Sequence, residues 1–311
     1  MDFRHEPVLL DAVLEHLVFD TGRPARLIDG TLGGGGHSFA LLQKYPKLEL
    51  LGIDRDEDAL AAASERLKPF AGRFETVHGS YSQMTEIARG RGWDAVDGVL
   101  LDIGVSSFQI DTPERGFSWR GDGPLDMRMD RKSPVTAARL LNRATERELE
   151  EIFRKFGEIR PAKKLAAAVV ARRTDAPFAA TGDLVALCDE VLGRARKGEL
   201  PKPTLVFQAL RIAVNGELDE LEKGLTAACG LLRSGGRLAV ISFHSLEDRI
   251  VKNFIREAAR DCICPPDLPV CRCGHRAFLR PVTRHAVTAD EEELRRNRRA
   301  ASARLRAAEK C

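Results

Sequence analysis

Five of the seven residues from Gly30 to Gly36 are glycines, and the run sits between a short apolar stretch, Arg26-Leu27-Ile28-Asp29, and a helical pattern over residues 38–44. Glycines in such a strand–turn–helix let the backbone turn sharply and approach a ligand closely, at the carboxyl edge where open α/β sheets bind ligands. Asp54 closes the next predicted strand, residues 48–54, about 20 residues after the loop, the usual place for a carboxylate that hydrogen-bonds ribose hydroxyls. Together the two features predict a nucleotide-like ligand on an α/β sheet.

The loop does not satisfy G-x-G-x-x-G, and no G-K-[ST] follows it, which weighs against a dinucleotide or a triphosphate. The acidic strand end, Asp29, suits a cationic ligand, and S-adenosylmethionine carries a sulfonium and an ammonium. A tight turn with no ligand is the competing reading. His37, at the helix start, is either a cap or a ligand contact, and its place in the loop favours contact. Tyr81, just past a third strand at residues 74–77, is placed to cover an adenine, although core packing would explain an isolated aromatic equally well.

With 311 residues, 43% hydrophobic and 31% charged, the chain is long enough for two domains and is neither disordered nor fibrous. No apolar run approaches the ~20 residues that span a bilayer. Residues 1–7 show no basic segment followed by an apolar one, so a cytoplasmic location with no membrane partner is expected. The seven cysteines are then expected as reduced thiols or metal ligands. A net charge of +3 decides nothing by itself.

The first hundred residues alternate apolar runs with helical patterns, as βαβ units do. Residues 97–102 form a fourth strand, apolar enough to be buried on both faces. Over residues 111–134 glycine and proline break every period, which predicts a long loop. Residues 135–193 read as helical: a capping box at Thr145 and Glu148 opens one helix, and Thr181 is expected to cap another. Helices follow at 205–214 and 218–232, a strand at 237–243, a helix capped by Ser245, and strands near 279–283 and 303–308. The expected fold is α/β, a mostly parallel sheet with helices on both faces. It is discontinuous over residues 1–108 and 203–311, with an all-helical domain inserted at 109–202.

Asp102-Ile103-Gly104-Val105-Ser106-Ser107 ends the fourth strand, which should lie beside the first strand and its glycine loop. Methyl transfer is an in-line displacement, so positioning supplies most of the catalysis. An amine nucleophile must also shed a proton, which Asp102, Ser106 or Ser107 could accept or orient. Binding the cofactor alone is the stronger expectation for Asp102, and the serines could serve only the turn. The D/N-P-P-Y/F of many amino-directed nucleic-acid methyltransferases is absent.

These segments carry a resemblance. Asp29-Gly30-Thr31, Gly35-Gly36-His37-Ser38, Ile53-Asp54-Arg55-Asp56, residues 101–107 with Gln109, Glu114-Arg115-Gly116-Phe117-Ser118, and residues 123–130, 207–212 and 241–249 resemble the MraW-type small-subunit ribosomal RNA cytosine-N4 methyltransferases. The blocks run in family order over nearly the whole chain. The resemblance implies a Rossmann-like class I methyltransferase core with an inserted helical domain, and S-adenosylmethionine as donor. It also implies N4-methylation of a cytidine in the decoding region of 16S rRNA in the small ribosomal subunit. The family's cofactor contacts fall on Gly35, Gly36, His37, Asp54, Tyr81, Asp102 and Gln109. Two stretches depart from the pattern. Leu205 and Val206 stand where a basic residue and a threonine are expected, and Asn297-Arg298-Arg299-Ala300-Ala301-Ser302 replaces Asn-Pro-Arg-Ala-Arg-Ser. If these positions touch RNA, substrate affinity would differ. The group that removes the amine proton, the choice between free rRNA and an assembled subunit, and a homodimeric state all stay open at this level.

Arg154, Lys155, Arg160, Lys163, Lys164, Arg172 and Arg173 are accompanied by one acid, Glu158, between residues 154 and 173. The stretch either neutralises RNA phosphates or is a solvated helix face. Arg295, Arg296, Arg298, Arg299, Arg304 and Arg306 offer a second stripe. Phe117 and Trp119 could stack on an unpaired base or anchor their loop on the core. Cys262, Cys264, Cys271 and Cys273 form C-x-C-x6-C-x-C, a pattern for a structural zinc stapling the loop before the last strands. Three other functions compete. The basic insert and the family blocks argue against a small-molecule or protein methyltransferase. The missing fingerprint argues against a nicotinamide oxidoreductase. Intact Asp54 and Asp102 argue against a non-catalytic RNA-binding protein.

Overall fold

Neighbouring residues along the central strands are both apolar, and the pleat sends them to opposite faces of the sheet. Leu27, Leu50, Leu100 and Ile241 enter one core, while Ile28, Leu51, Leu101 and Val240 enter the other. The computed structural model describes residues 7–193, 195, 201–265, 268 and 270–311. Two compact units make up the chain, Met1–Gly104 with Leu218–Cys311, and Val105–Glu217.

The first unit carries β1 (Ala25–Asp29), β2 (Leu48–Asp54), β3 (Phe74–His78), β4 (Val96–Asp102), β5 (Leu232–Ser242), β6 (Leu279–Pro281) and β7 (Arg304–Lys310). They pair in the order β3-β2-β1-β4-β5-β7-β6. β1 to β5 are mutually parallel, and β7 runs antiparallel between β5 and β6. The first five follow the dinucleotide-binding order, but there the next strand continues in parallel; here an antiparallel strand takes that place. The expected α/β class and mostly parallel sheet are therefore observed.

Helices α1 (Leu10–His16), α2 (Gly36–Lys44) and α3 (Glu57–Leu67) bring Val13, Leu41, Leu42, Ala63 and Leu67 onto the face that holds Leu27. α4 (Met84–Arg89) covers the opposite face with Met84 and Ala88. The second unit holds α5 (Ser107–Asp111), α6 (Ala137–Arg143), α7 (Glu146–Gly157), α8 (Ala162–Asp175), α9 (Thr181–Leu192) and α10 (Lys202–Asn215). α11 (Glu217–Leu231), α12 (Ser245–Ala258) and α13 (Glu291–Arg296) complete the chain. Leu221, Leu225 and Val251 join the core beneath α4. Among the described residues no helix is long and apolar enough to cross a membrane.

The helical unit begins and ends at positions other than the expected 109 and 202. Val206, Phe207, Leu210 and Val214 of α10 pack with Phe153, Leu165 and Val169 in its core, so this helix belongs to the second unit. Two expected caps also move by one or two residues. Ala180 precedes the first turn of α9, and Asp183 accepts from the Ala179 and Ala180 amides at 3.0 Å each. Thr181 instead donates its hydroxyl to the Gly121 carbonyl at 2.9 Å. For α12 the cap is His244 rather than Ser245: His244 accepts from the Glu247 amide, and the Glu247 carboxylate accepts from the His244 amide. The capping box of α7 is as expected, with the Thr145 amide donating to Glu148 at 2.7 Å and the Glu148 amide donating to Thr145 at 3.3 Å.

Candidate functional site

β1 and β4 pair side by side, so Asp29, the glycine loop and Asp102 meet at the carboxyl edge of the sheet. The loop is held by its own backbone and by the neighbouring strands. The Gly30 amide donates to Leu100 O at 2.9 Å, and the Leu32 amide donates to Ile53 O at 3.0 Å. Arg66 donates to Gly34 O at 3.2 Å from α3. Gly35 has φ 72°, a left-handed conformation that glycine adopts without a Cβ clash, and it delivers the chain into α2 at Gly36.

Asp29 is buried. Its carboxylate accepts from the Ser38 hydroxyl at 2.6 Å and from the Thr31 amide at 3.2 Å. Burial pushes its pKa up to about 6, with the Ser38 hydrogen bond and the His37 charge opposing the rise. This carboxylate organises the turn. Asp54, at the end of β2, accepts from the Gly33 amide at 2.8 Å through Oδ2 and from the Asp56 amide at 2.9 Å through Oδ1. Burial raises its pKa, against the pull of those two hydrogen bonds. One lone pair on each oxygen remains for further donors.

Asp102 ends β4, and its amide donates to Thr31 Oγ1 at 2.6 Å. His37 is buried in the first turn of α2, with Nε2 3.5 Å from Asp102 Oδ2. Both ring nitrogens of His37 and Oδ1 of Asp102 are buried without a hydrogen-bond partner among the described residues. Buried polar atoms are almost always paired, so these three atoms leave hydrogen-bonding capacity open at this edge.

Tyr81 lies in a 3-10 turn, Tyr81–Gln83, capped by Ser80. Its half-buried ring packs on the core beneath α4 and faces Gly224 of α11, where an added Cβ would stand 2.6 Å from Tyr81 Cε2. Glu220, one turn earlier on α11, ties this turn down: Ser80 and Ser82 donate to its Oε2, the latter at 2.7 Å, and Arg55 donates at 3.1 Å. Burial would raise the Glu220 pKa, but the Ser80 and Ser82 hydrogen bonds and the Arg55 charge hold it below the usual range. Nothing in the sequence announces this brace. Its partners lie 140 and 165 residues apart, and no local spacing links them.

The structure thus gathers Gly35, Gly36, His37, Asp54, Tyr81 and Asp102 in the first unit. Ser106, Ser107 and Gln109 belong to the second, where the Gln109 amide donates to the Ser106 hydroxyl and the Ser106 amide donates to Gln109 Oε1. Ser106 is a helix cap there, and Ser107 is the first residue of α5. Phe117 is a core residue and Trp119 packs against the same core. Val206 is likewise buried, with Leu205 packed beside it, so the departure from a basic residue and a threonine leaves apolar packing. Arg172 pairs with Asp183 at 3.1 Å, and Arg173 donates to the Leu141 and Ala144 carbonyls. Arg304 and Arg306 pair with Asp248. Arg154, Arg160, Lys163 and Lys164 are exposed. Cys262, Cys264, Cys271 and Cys273 converge elsewhere in the first unit, their sulfurs within 4.8 Å of one another.

A five-strand parallel sheet continued by an antiparallel strand, with a glycine loop and carboxylates at the ends of β1, β2 and β4, defines a class I methyltransferase core. The chain belongs to the MraW methylase family, whose pattern matches residues 2–311. It is 49% identical over 311 residues to a Carboxydothermus hydrogenoformans protein named ribosomal RNA small subunit methyltransferase H, covering 100% of this chain and 99% of that one. Proteins of the same name from Trichlorobacter lovleyi and Geobacter sulfurreducens are 51% and 50% identical. They cover 99% and 100% of this chain, and 99% and 100% of their own lengths.

Proposed function

We propose that the chain methylates N4 of a specific cytidine in the decoding region of 16S rRNA in the small ribosomal subunit, with S-adenosylmethionine as methyl donor. One observation carries the reading: relatives at about half identity, matched over 99–100% of both chains, bear a small-subunit rRNA methyltransferase name. The unsatisfied polar atoms beside the glycine loop agree with it.

The residues fit the donor. Asp54 has acceptor capacity left for ribose hydroxyls. Tyr81 offers an aromatic face for an adenine. Buried His37 and half-buried Asp102 supply polar atoms for the charged end, while Gly35 and Gly36 let the chain enter α2 close against Ala63 and Pro7. When bound, S-adenosylmethionine supplies an electrophilic methyl carbon whose bond to sulfur breaks as the bond to the amine nitrogen forms, the sulfur keeping the electron pair. The chain's own contribution is alignment, which in-line displacement rewards most. The attacking amine also releases a proton, and the Asp102 carboxylate is one group of this edge able to orient or accept it, alongside the hydroxyls of Ser106 and Ser107 that the sequence offers. The exposed cations of α7 and α8 supply phosphate contacts for the RNA.

The test uses methyl-labelled S-adenosylmethionine, the purified chain and small subunits from a strain lacking this modification. Nucleosides are then separated by mass spectrometry. Label in N4-methylcytidine is the expected result. Label in another nucleoside, or in ribosomal protein alone, overturns the reading.

A further inference from the structure

Between α12 and β6 four free cysteines meet at the surface. Sγ of Cys262 lies 3.4 Å from that of Cys271 and 3.8 Å from that of Cys273, and the Cys271–Cys273 separation is 3.6 Å. A tetrahedral ion with metal–sulfur bonds of about 2.3 Å holds its ligands about 3.8 Å apart, so these spacings match the edges of such a site. Main-chain amides are aimed at the sulfurs. Ile263 N–H points to Cys273 at 3.5 Å, Cys264 N–H to Cys262 at 3.4 Å, and Arg272 N–H to Cys264 at 3.4 Å. Amide donors of this kind stabilise thiolate charge. Packing gives no reason for the gathering, because Cys271 and Cys273 are exposed and the hydrophobic gain there is small.

We propose that Cys262, Cys264, Cys271 and Cys273 hold one Zn2+ in a closed structural site. Four soft thiolates in a tetrahedron select zinc over magnesium or calcium. Four protein ligands leave no open coordination position, so the ion holds structure and takes no part in a reaction. His275 stays outside the ligand set, its Nε2 3.2 Å from the Glu257 carbonyl. The ion ties residues 262–264 to residues 271–273 just before the chain re-enters the sheet. The Phe278 amide anchors that return on Ala258 O at 2.9 Å.

The experiment is elemental analysis of the full chain purified without chelators. One zinc per chain is expected. The double variant Cys262→Ser/Cys273→Ser should lose it and Cys311→Ser should keep it, with circular dichroism reporting whether each variant folds. Replacing zinc with Co2+ gives a second readout that does not depend on the variants. The d–d and thiolate charge-transfer bands of a tetrahedral sulfur site are expected. Wild-type protein that takes up no zinc when Zn2+ is added, cysteines found as two disulfides by peptide mapping, or iron at one equivalent in place of zinc would each overturn the proposal.

Discussion

His37 Nε2 stands 3.5 Å from Asp102 Oδ2, and the remaining ring nitrogen of His37 and Asp102 Oδ1 are buried beside them without partners among the described residues. The pair joins the helix that follows the glycine loop to the end of β4, and it concentrates unused hydrogen-bonding capacity at one point of the sheet edge.

Asp102→Asn keeps the shape of that edge and removes its charge. A hydrogen bond to a charged group contributes about 1.5–3 kcal/mol, so the dissociation constant for S-adenosylmethionine should rise by roughly tenfold or more. Calorimetric titration reads this directly. An unchanged constant with a depressed kcat would move Asp102 from cofactor binding to handling of the amine proton.

Gly224 leaves room for the Tyr81 ring. Gly224→Ala places a methyl group 2.6 Å from Tyr81 Cε2, and the ring must shift. Overpacking of this size costs about 1–3 kcal/mol. If the ring covers the adenine, cofactor affinity should fall by about tenfold, equivalent to about 1.4 kcal/mol. Unaltered affinity would leave Tyr81 as a core residue.

Asp29 sets a pH dependence. Its carboxyl is pushed up from 3.8 to about 6 by burial, so the folded chain binds the proton more tightly than the unfolded one. The stability this gives is fully present below about pH 4 and is lost as pH rises through about 6. The rise corresponds to at most about 3 kcal/mol. Asp29→Asn, neutral throughout and still able to accept from Ser38, should lose that component of the slope between pH 4 and 6. At pH 7 its stability should fall short of the full gain from removing the buried charge, because one amide oxygen cannot accept from both Ser38 and Thr31 as the two carboxylate oxygens do. Urea unfolding at a series of pH values measures both; a slope identical to wild type would show that Asp29 is not the group responsible.

Lys163 and Lys164 are exposed on α8, away from the cofactor edge in the sequence and in a different unit. Charge reversal at both positions should weaken RNA binding and lower its salt dependence by about one unit of slope for each phosphate no longer neutralised. Cofactor affinity should stay constant. Equal RNA affinity for wild type and variant at low and high salt would return the stretch to a solvated face.

What the sequence made legible is what depends on local constraint. The glycine run, Asp54 after the next strand and Asp102 at the end of the fourth sit where strand–turn–helix geometry puts them. Cap identity was less legible, because Thr181 and Asp183, or His244 and Ser245, all offer side-chain acceptors. Only the backbone decides which residue leaves the helix. The Arg55–Ser80–Glu220 brace was invisible, since nothing in a single sequence relates positions 165 residues apart. The place of α10 was misleading for a similar reason: its apolar face declares burial without saying in which unit.

The most direct test of the account is calorimetric titration of S-adenosylmethionine into the chain and into Asp54→Ala, with thermal melts to establish that both are folded. One site per chain is predicted for wild type. The variant should bind at least tenfold more weakly, since it loses hydrogen bonds to a charged group. A folded wild-type chain that does not bind S-adenosylmethionine, or a variant that binds it as tightly as wild type, would contradict the assignment of this sheet edge.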